Sequence, residues 1–236
     1  MAEKNLEEMR EAVEAIREKM AAAAREAGRD PAEVQLCAAC KTRTEDTVAA
    51  SAALAIDVFG ENHVQELCAN YDAGAYCGKP SHFIGHLQTN KIKKVLGRAS
   101  LIQSVDSEHL LAAIEKEAAK AGIVQDVLLE VNIGGEESKS GFAPEALRAC
   151  IEDLMELSGI SVRGLMTMAP RGSKEVAAKT FAGLRELRDE LEGVYPSLTL
   201  SELSCGMSED FDVAIEEGST LIRLGRVAFN PSFALQ

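Results

Sequence analysis

Eight short apolar runs alternate with amphipathic stretches along this chain, and no other feature limits the fold as strongly. The runs occupy residues 34–40, 56–60, 82–84, 100–105, 125–131, 160–166, 198–203 and 220–224. Helical patterns fill the intervals at 45–54, 62–73, 89–96, 107–121, 144–157, 173–193 and 209–217, with Ser107 and Pro144 placed as helix starters. Strand-helix alternation implies parallel strands joined by crossover helices. A further amphipathic pattern, at 5–28, precedes the first run and carries Leu6, Met9, Val13, Ile16 and Met20 at spacings of three and four.

Eight strands in 236 residues match a (β/α)8 TIM barrel, which takes ~250 residues, with an additional N-terminal helix. The rival is a doubly wound open sheet. It would place a glycine-rich turn after its first strand, whereas here Lys41-Thr42-Arg43-Thr44 follows. No linker, repeat or composition shift divides the chain, so residues 1–236 are expected to form a single domain.

Composition narrows the partners. With 38 Asp+Glu against 25 Lys+Arg the net charge is −13, a field that opposes binding to nucleic-acid phosphates. No stretch reaches the roughly 18 consecutive apolar residues of a membrane span, and the start lacks the order of a signal peptide. A cytoplasmic protein is expected. The six cysteines are too scattered for a disulfide scaffold. Cys37 and Cys40 have redox spacing, but residues three apart on a strand face opposite sides of the sheet.

In such a barrel the site is built where the strands end. Lys41 follows the first run, Glu61-Asn62-His63 the second, His86 and Gln88 to Lys91 the third, and Asp106 the fourth. Asn132 follows the fifth, Met166-Thr167-Met168 close the sixth, Ser204 to Ser208 follow the seventh, and Arg223 to Arg226 close the eighth. A lysine ending an apolar strand has its amine held partly out of water, which favours the neutral form that condenses with an aldehyde. The loops after strands 7 and 8 commonly hold phosphate, and Gly206, Ser208 and Gly225 suit that role. For Ser208 the competing role is a plain helix cap. An aldehyde-reactive lysine opposite a phosphate cradle is the pairing that pyridoxal 5'-phosphate (PLP) requires.

These residues resemble the pyridoxal phosphate homeostasis proteins, small single-domain PLP binders. The likeness covers nearly the whole chain, through 40–42 (CKT), 59–66 (FGENHVQE), 82–91 (HFIGHLQTNK), 104–107 (SVDS), 131–142 (VNIGGEESKSGF), 163–168 (RGLMTM), 203–210 (LSCGMSED) and 218–229 (GSTLIRLGRVAF). The resemblance implies a barrel like that of alanine racemase, with PLP held as a Schiff base on Lys41. It also implies that Ser208 and the Gly225-Arg226 backbone hold the phosphate, that Arg223 faces the pyridine nitrogen, and that Asn62, Asn132 and Met166 surround the ring. Family members often have Ser-Met-Gly-Met-Ser after strand 7 and Gly-Thr after strand 8, where this chain has Cys205 and Arg226. A guanidinium at 226 either pairs with phosphate or points away.

His63 and His86 stand where the family often has Tyr and Pro, and each is expected to be a rim histidine and not a general base. The 136–140 segment, Glu-Glu-Ser-Lys-Ser, is expected to be a charged loop over the barrel mouth.

The family implies a non-catalytic carrier in intracellular PLP homeostasis, with apo PLP-dependent enzymes as recipients. The alternative is a small monomeric amino-acid racemase. Against it, an arginine at the pyridine nitrogen weakens the electron sink. Alanine racemase adds a second domain and a tyrosine base across a dimer, whereas the three tyrosines here, Tyr71, Tyr76 and Tyr195, lie outside the strand-end loops. A monomer is expected, its N-terminal helix packed on the barrel.

Overall fold

A computed structural model describes residues 3–136, 139–233 and 235. Its eight strands form one closed, all-parallel barrel in chain order, with β8 hydrogen-bonded back to β1. The strands are β1 (Gln35–Ala39), β2 (Val58–Glu61), β3 (Ser81–Phe83), β4 (Leu101–Val105), β5 (Gln125–Glu130), β6 (Ile160–Met166), β7 (Glu202–Ser204) and β8 (Leu221–Leu224). The helices are α1 (Leu6–Glu26), α2 (Glu45–Ser51), α3 (Val64–Asp72), α4 (Ile92–Val95), α5 (Glu108–Ala121), α6 (Pro144–Met155), α7 (Lys174–Val194), α8 (Phe211–Glu216) and α9 (Arg226–Phe229).

Local chemistry sets the helix starts. Ser107 caps α5 by accepting from the Leu110 N–H, Pro144 opens α6, and Asn5 and Glu8 form a reciprocal capping box at α1. The stripe Met9, Val13, Ile16, Met20, Ala23 and Ala24 of α1 is buried, while Leu6 is exposed. The helix is fastened beside the end of the barrel chain, where Lys4 donates from its backbone N–H to Phe229 O and from Nζ to Val227 O.

Three elements differ from the sequence expectation. Strand β7 begins at Glu202, not at 198, because its parallel partner is met only from Gly164 onward. Leu198 and Leu200 are still buried, but Leu200 donates its N–H to Glu192 of α7 and not to a ladder. The 89–96 pattern is a 3-10 turn (Thr89–Lys91) leading into the single turn of α4. Helix α9, after β8, was not expected.

The main apolar core lies between barrel and helices. Inside the barrel two small groups face each other's layers, Cys37, Val58 and Leu221 in one and Leu101, Leu128 and Met166 in the other. Since side chains alternate along a strand, the register that pairs Cys37 with Val58 and with Arg223 puts all three on the inner face. Cys40 instead joins the outer core. Both cysteines are buried and free, and burial pushes the Cys37 thiol up to about 12, which suits neither redox work nor metal ligation.

Candidate functional site

The barrel brings the expected residues to one rim, each at the C-terminal end of its strand. Lys41 stands in the turn after β1, before Thr42, which adopts a left-handed backbone (φ 62°). Thr42 is held there by donation of its N–H to Glu66 of α3. Contrary to the expectation of partial burial, Lys41 is exposed. Its polar surroundings at a turn, beyond the apolar part of β1, account for this. Its ammonium has no hydrogen bond or ion pair among the described residues.

Asn62 is half-buried after β2. It stands against Gly85, where any Cβ would overlap the Asn62 carbonyl, so glycine alone lets the ends of β2 and β3 meet so closely. Asn132 follows β5 and donates from Nδ2 to Glu136 O at 2.8 Å and to Lys139 O at 3.4 Å. It thereby closes the charged loop expected over the mouth, of which Glu137 and Ser138 lie outside the described residues. Met166 ends β6 and is buried.

Ser208 is not a helix cap. Helix α8 begins at Phe211, and Asp210 takes the cap position while its Oδ1 accepts from the Met207 N–H at 2.7 Å. The Ser208 hydroxyl, half-buried in the preceding turn, has no partner among the described residues. Gly206 carries that turn with φ 96°, and a Cβ there would lie 2.6 Å from the Ala214 Cβ. Across β8, the N–H groups of Gly225, Arg226 and Val227 also have no protein acceptor among the described residues. One free hydroxyl and three free amides at a helix start are anion-binding chemistry. The Arg226 guanidinium lies 3.8 Å from Glu209 and stacks 4.8 Å over the Phe233 ring.

Arg223 is buried on the inner face of β8. It donates through Nη1 to Ser204 Oγ and through Nη2 to Thr167 O at 3.2 Å. Ser204 in turn donates to Gln103 Oε1 at 2.6 Å, and Gln103 Nε2 meets His82 Nδ1 at 2.8 Å. Glu130, buried at the end of β5, is the carboxylate that acts on Arg223 from this layer; burial raises its pKa, Asp106 adds to the rise and Arg223 opposes it. None of Ser204, Gln103, His82 and Glu130 was singled out as an inner-face partner of Arg223 from the sequence. The signal was there, because Gln103 and Glu130 stand two residues beyond the inward Leu101 and Leu128.

The two histidines fall on the rim as expected. His63 is exposed just before α3, and His86, exposed, lies 3.3 Å from Asp106. A separate groove of about 540 Å³ lies by Tyr71, Lys79, Arg98 and Val124, at the N-terminal ends of β3 to β5 and thus at the opposite end of the barrel.

The family described as alanine racemase, N-terminal domain, matches residues 12–232. A protein of Aquifex aeolicus named pyridoxal phosphate homeostasis protein is 44% identical over 215 residues, which is 91% of this chain and 94% of that protein. Among solved structures, PipY of Synechococcus elongatus PCC7942 with PLP bound superposes with a TM-score of 0.79 at 32% identity, covering 91% of this chain and all (100%) of that one. The fold is also that of a Clostridium difficile alanine racemase, with a TM-score of 0.72 at 15% identity over 92% of this chain and 56% of the enzyme.

Proposed function

Because the chain belongs to the alanine racemase N-terminal-domain family and, within it, to the pyridoxal phosphate homeostasis proteins, we propose that it binds PLP and serves intracellular PLP homeostasis without catalysing a reaction. The observation that carries this reading is the donor set of the mouth. A lysine amine stands on one side, and the Ser208 hydroxyl with the Gly225, Arg226 and Val227 amides on the other, all without a partner among the described residues. The residues present therefore fit a ligand with an aldehyde at one end and a phosphate dianion at the other.

Lys41 Nζ is the amine that would hold the aldehyde, as a C=N bond made with loss of one water. Bound there, PLP supplies a conjugated carbonyl equivalent that can be handed to another amine. Ser208 and the α9 amides hold the phosphate, and Gly206 lets the Ser208 turn lie close against α8. Arg223 donates toward the ring nitrogen and cannot take a proton from it. Asn62, Asn132 and Met166 border the ring, Asn132 through the loop it closes. Residues 1–236 act as a single PLP-binding barrel. Apo PLP-dependent enzymes are the recipients, and the protein is a monomer of the cytoplasm. Among the described residues no helix is long and apolar enough to cross a membrane.

The test is direct. The purified protein, mixed with PLP, is expected to show a visible band that borohydride removes, leaving a phosphopyridoxyl group on the Lys41 peptide. Incubation of the loaded protein with L-amino acids in D2O is expected to leave their Cα protons in place. Sustained Cα exchange would establish the racemase reading instead.

A further inference from the structure

Arginine is the one member of the Arg223 cluster that can only donate, and this decides the direction of every hydrogen bond beyond it. Ser204 Oγ must accept from Arg223, so its single proton goes to Gln103 Oε1, 2.6 Å away. With its oxygen occupied, Gln103 turns Nε2 to His82 Nδ1 at 2.8 Å, which must then accept. His82 accordingly carries its proton on Nε2 and is neutral, as its burial favours. The four side chains come from β8, β7, β4 and β3 and cross the barrel interior from one wall to the other. All four are buried. Of the five N–H groups of Arg223, this chain takes one and the Thr167 carbonyl a second.

We propose that Ser204, Gln103 and His82 are positioning residues for Arg223, a one-way donor relay that fixes the guanidinium plane so that a remaining N–H is presented to the ring nitrogen of the bound cofactor. The proposal rests on the PLP-binding reading, since without a ring nitrogen at Arg223 the relay has nothing to present. Two anchors at different carbon-bound nitrogens stop the guanidinium from turning about its own axis. The relay also gives Ser204 no second proton to offer, so Ser204 cannot compete with Arg223 for an acceptor in the mouth. An interior of apolar residues would fill the same space but leave Arg223 free to swing.

The experiment compares PLP with deazapyridoxal phosphate, the analogue that has C–H in place of the ring nitrogen, by titrating the visible absorbance of the whole protein. Wild type is expected to prefer PLP. Ser204→Ala and Gln103→Leu should each reduce that preference by about threefold to tenfold, the effect of losing one ordinary hydrogen bond. Ser204→Thr, which keeps the hydroxyl, should restore it. In an Arg223→Lys background the preference should be gone and Ser204→Ala should change nothing further.

Thermal unfolding checks that each variant is folded. Should Gln103→Leu fail that check, Ser204→Ala, which deletes one buried oxygen, decides alone. Equal weakening for both ligands, or an unchanged preference, overturns the relay while leaving PLP binding intact. So does a Ser204→Ala effect that survives in Arg223→Lys. Wild type that binds neither ligand overturns the PLP reading and the relay with it.

Discussion

Glu61→Gln should stabilise this protein at alkaline pH, although it removes a charge from a hydrogen-bonded network. Glu61 ends β2, fully buried beneath α3, where its Oε1 accepts from Asn70 Nδ2 at 2.7 Å and from Tyr76 Oη at 3.0 Å. Among the described residues its Oε2 has no partner, and neither has Asn70 Oδ1. A carboxylate would leave both acceptors orphaned in the core. A carboxylic acid carries a donor on one oxygen and so need not leave two buried acceptors without a proton. Burial pushes the Glu61 carboxyl from 4.5 up to about 7, with Glu66 adding to the rise and the Asn70 and Tyr76 bonds opposing it.

The sign follows from linkage. A folded pKa raised above the unfolded one means stability that is complete below about pH 4.5 and is lost as pH climbs through about 7. The difference is roughly 2.5 pH units, and at 1.36 kcal/mol per unit the full loss is about 3 kcal/mol. Glutamine mimics the protonated acid, with a donor on one terminal atom and an acceptor on the other, and does not titrate. In urea unfolding, the advantage of Glu61→Gln over wild type is expected to grow by about 2 to 3 kcal/mol between pH 5 and pH 8. An advantage that is the same at both pH values, or a variant that loses stability at pH 8, would refute the neutral-acid assignment.

Lys41→Ala should lose the visible PLP band and the phosphopyridoxyl peptide; mapping after borohydride would show any label that moves to Lys91, the lysine after β3. Ser208→Ala should weaken PLP binding by roughly tenfold to a hundredfold, since a hydrogen bond to a charged group is worth about 1.5 to 3 kcal/mol, while pyridoxal binding stays nearly constant. Equal weakening for both ligands would remove Ser208 from the phosphate cradle. Gly206→Ala should cost about 2 to 4 kcal/mol in urea unfolding, because alanine meets both a φ of 96° and a contact 2.6 Å from Ala214 Cβ.

The barrel was legible in the sequence because a buried parallel strand is an apolar run and a crossover helix an amphipathic one, and the eight pairs kept those two patterns apart. Strand β7 was misplaced because Leu198 and Leu200 are as buried as strand residues, and burial alone does not show whether a backbone N–H meets a ladder or Glu192. The position of Lys41 at a strand end is legible in the sequence, and its exposure is not, because a turn conformation such as that of Thr42 has no hydrophobic signature. The glycines of the proposed cradle, Gly206 and Gly225, stand out in the sequence. The Arg223 relay does not, since its members stand far apart in the chain and meet only when β3, β4, β7 and β8 enclose one lumen.

Holding and racemisation place different demands on the mouth. Moving a proton from one face of a Cα to the other takes two proton-transfer groups, one on each side of the cofactor plane. Lys41 is one. Among the described residues, none of the tyrosines offers the second: Tyr76 is buried with its hydroxyl on Glu61, Tyr71 lies under Arg98 by the groove at the far end, and Tyr195 ends α7. His86, the rim group the racemase alternative would call on, has its Nδ1 3.3 Å from Asp106 and its side chain 68% exposed to water. Arg223 adds the electronic half. A donor fixed by Ser204 and Thr167, if it meets the ring nitrogen as proposed, would keep that nitrogen an acceptor, so charge developing at Cα would find a poor sink. On the PLP-binding reading, these residues would grip a phosphate, an aldehyde and a ring nitrogen and would leave Cα chemistry without a second proton-transfer group.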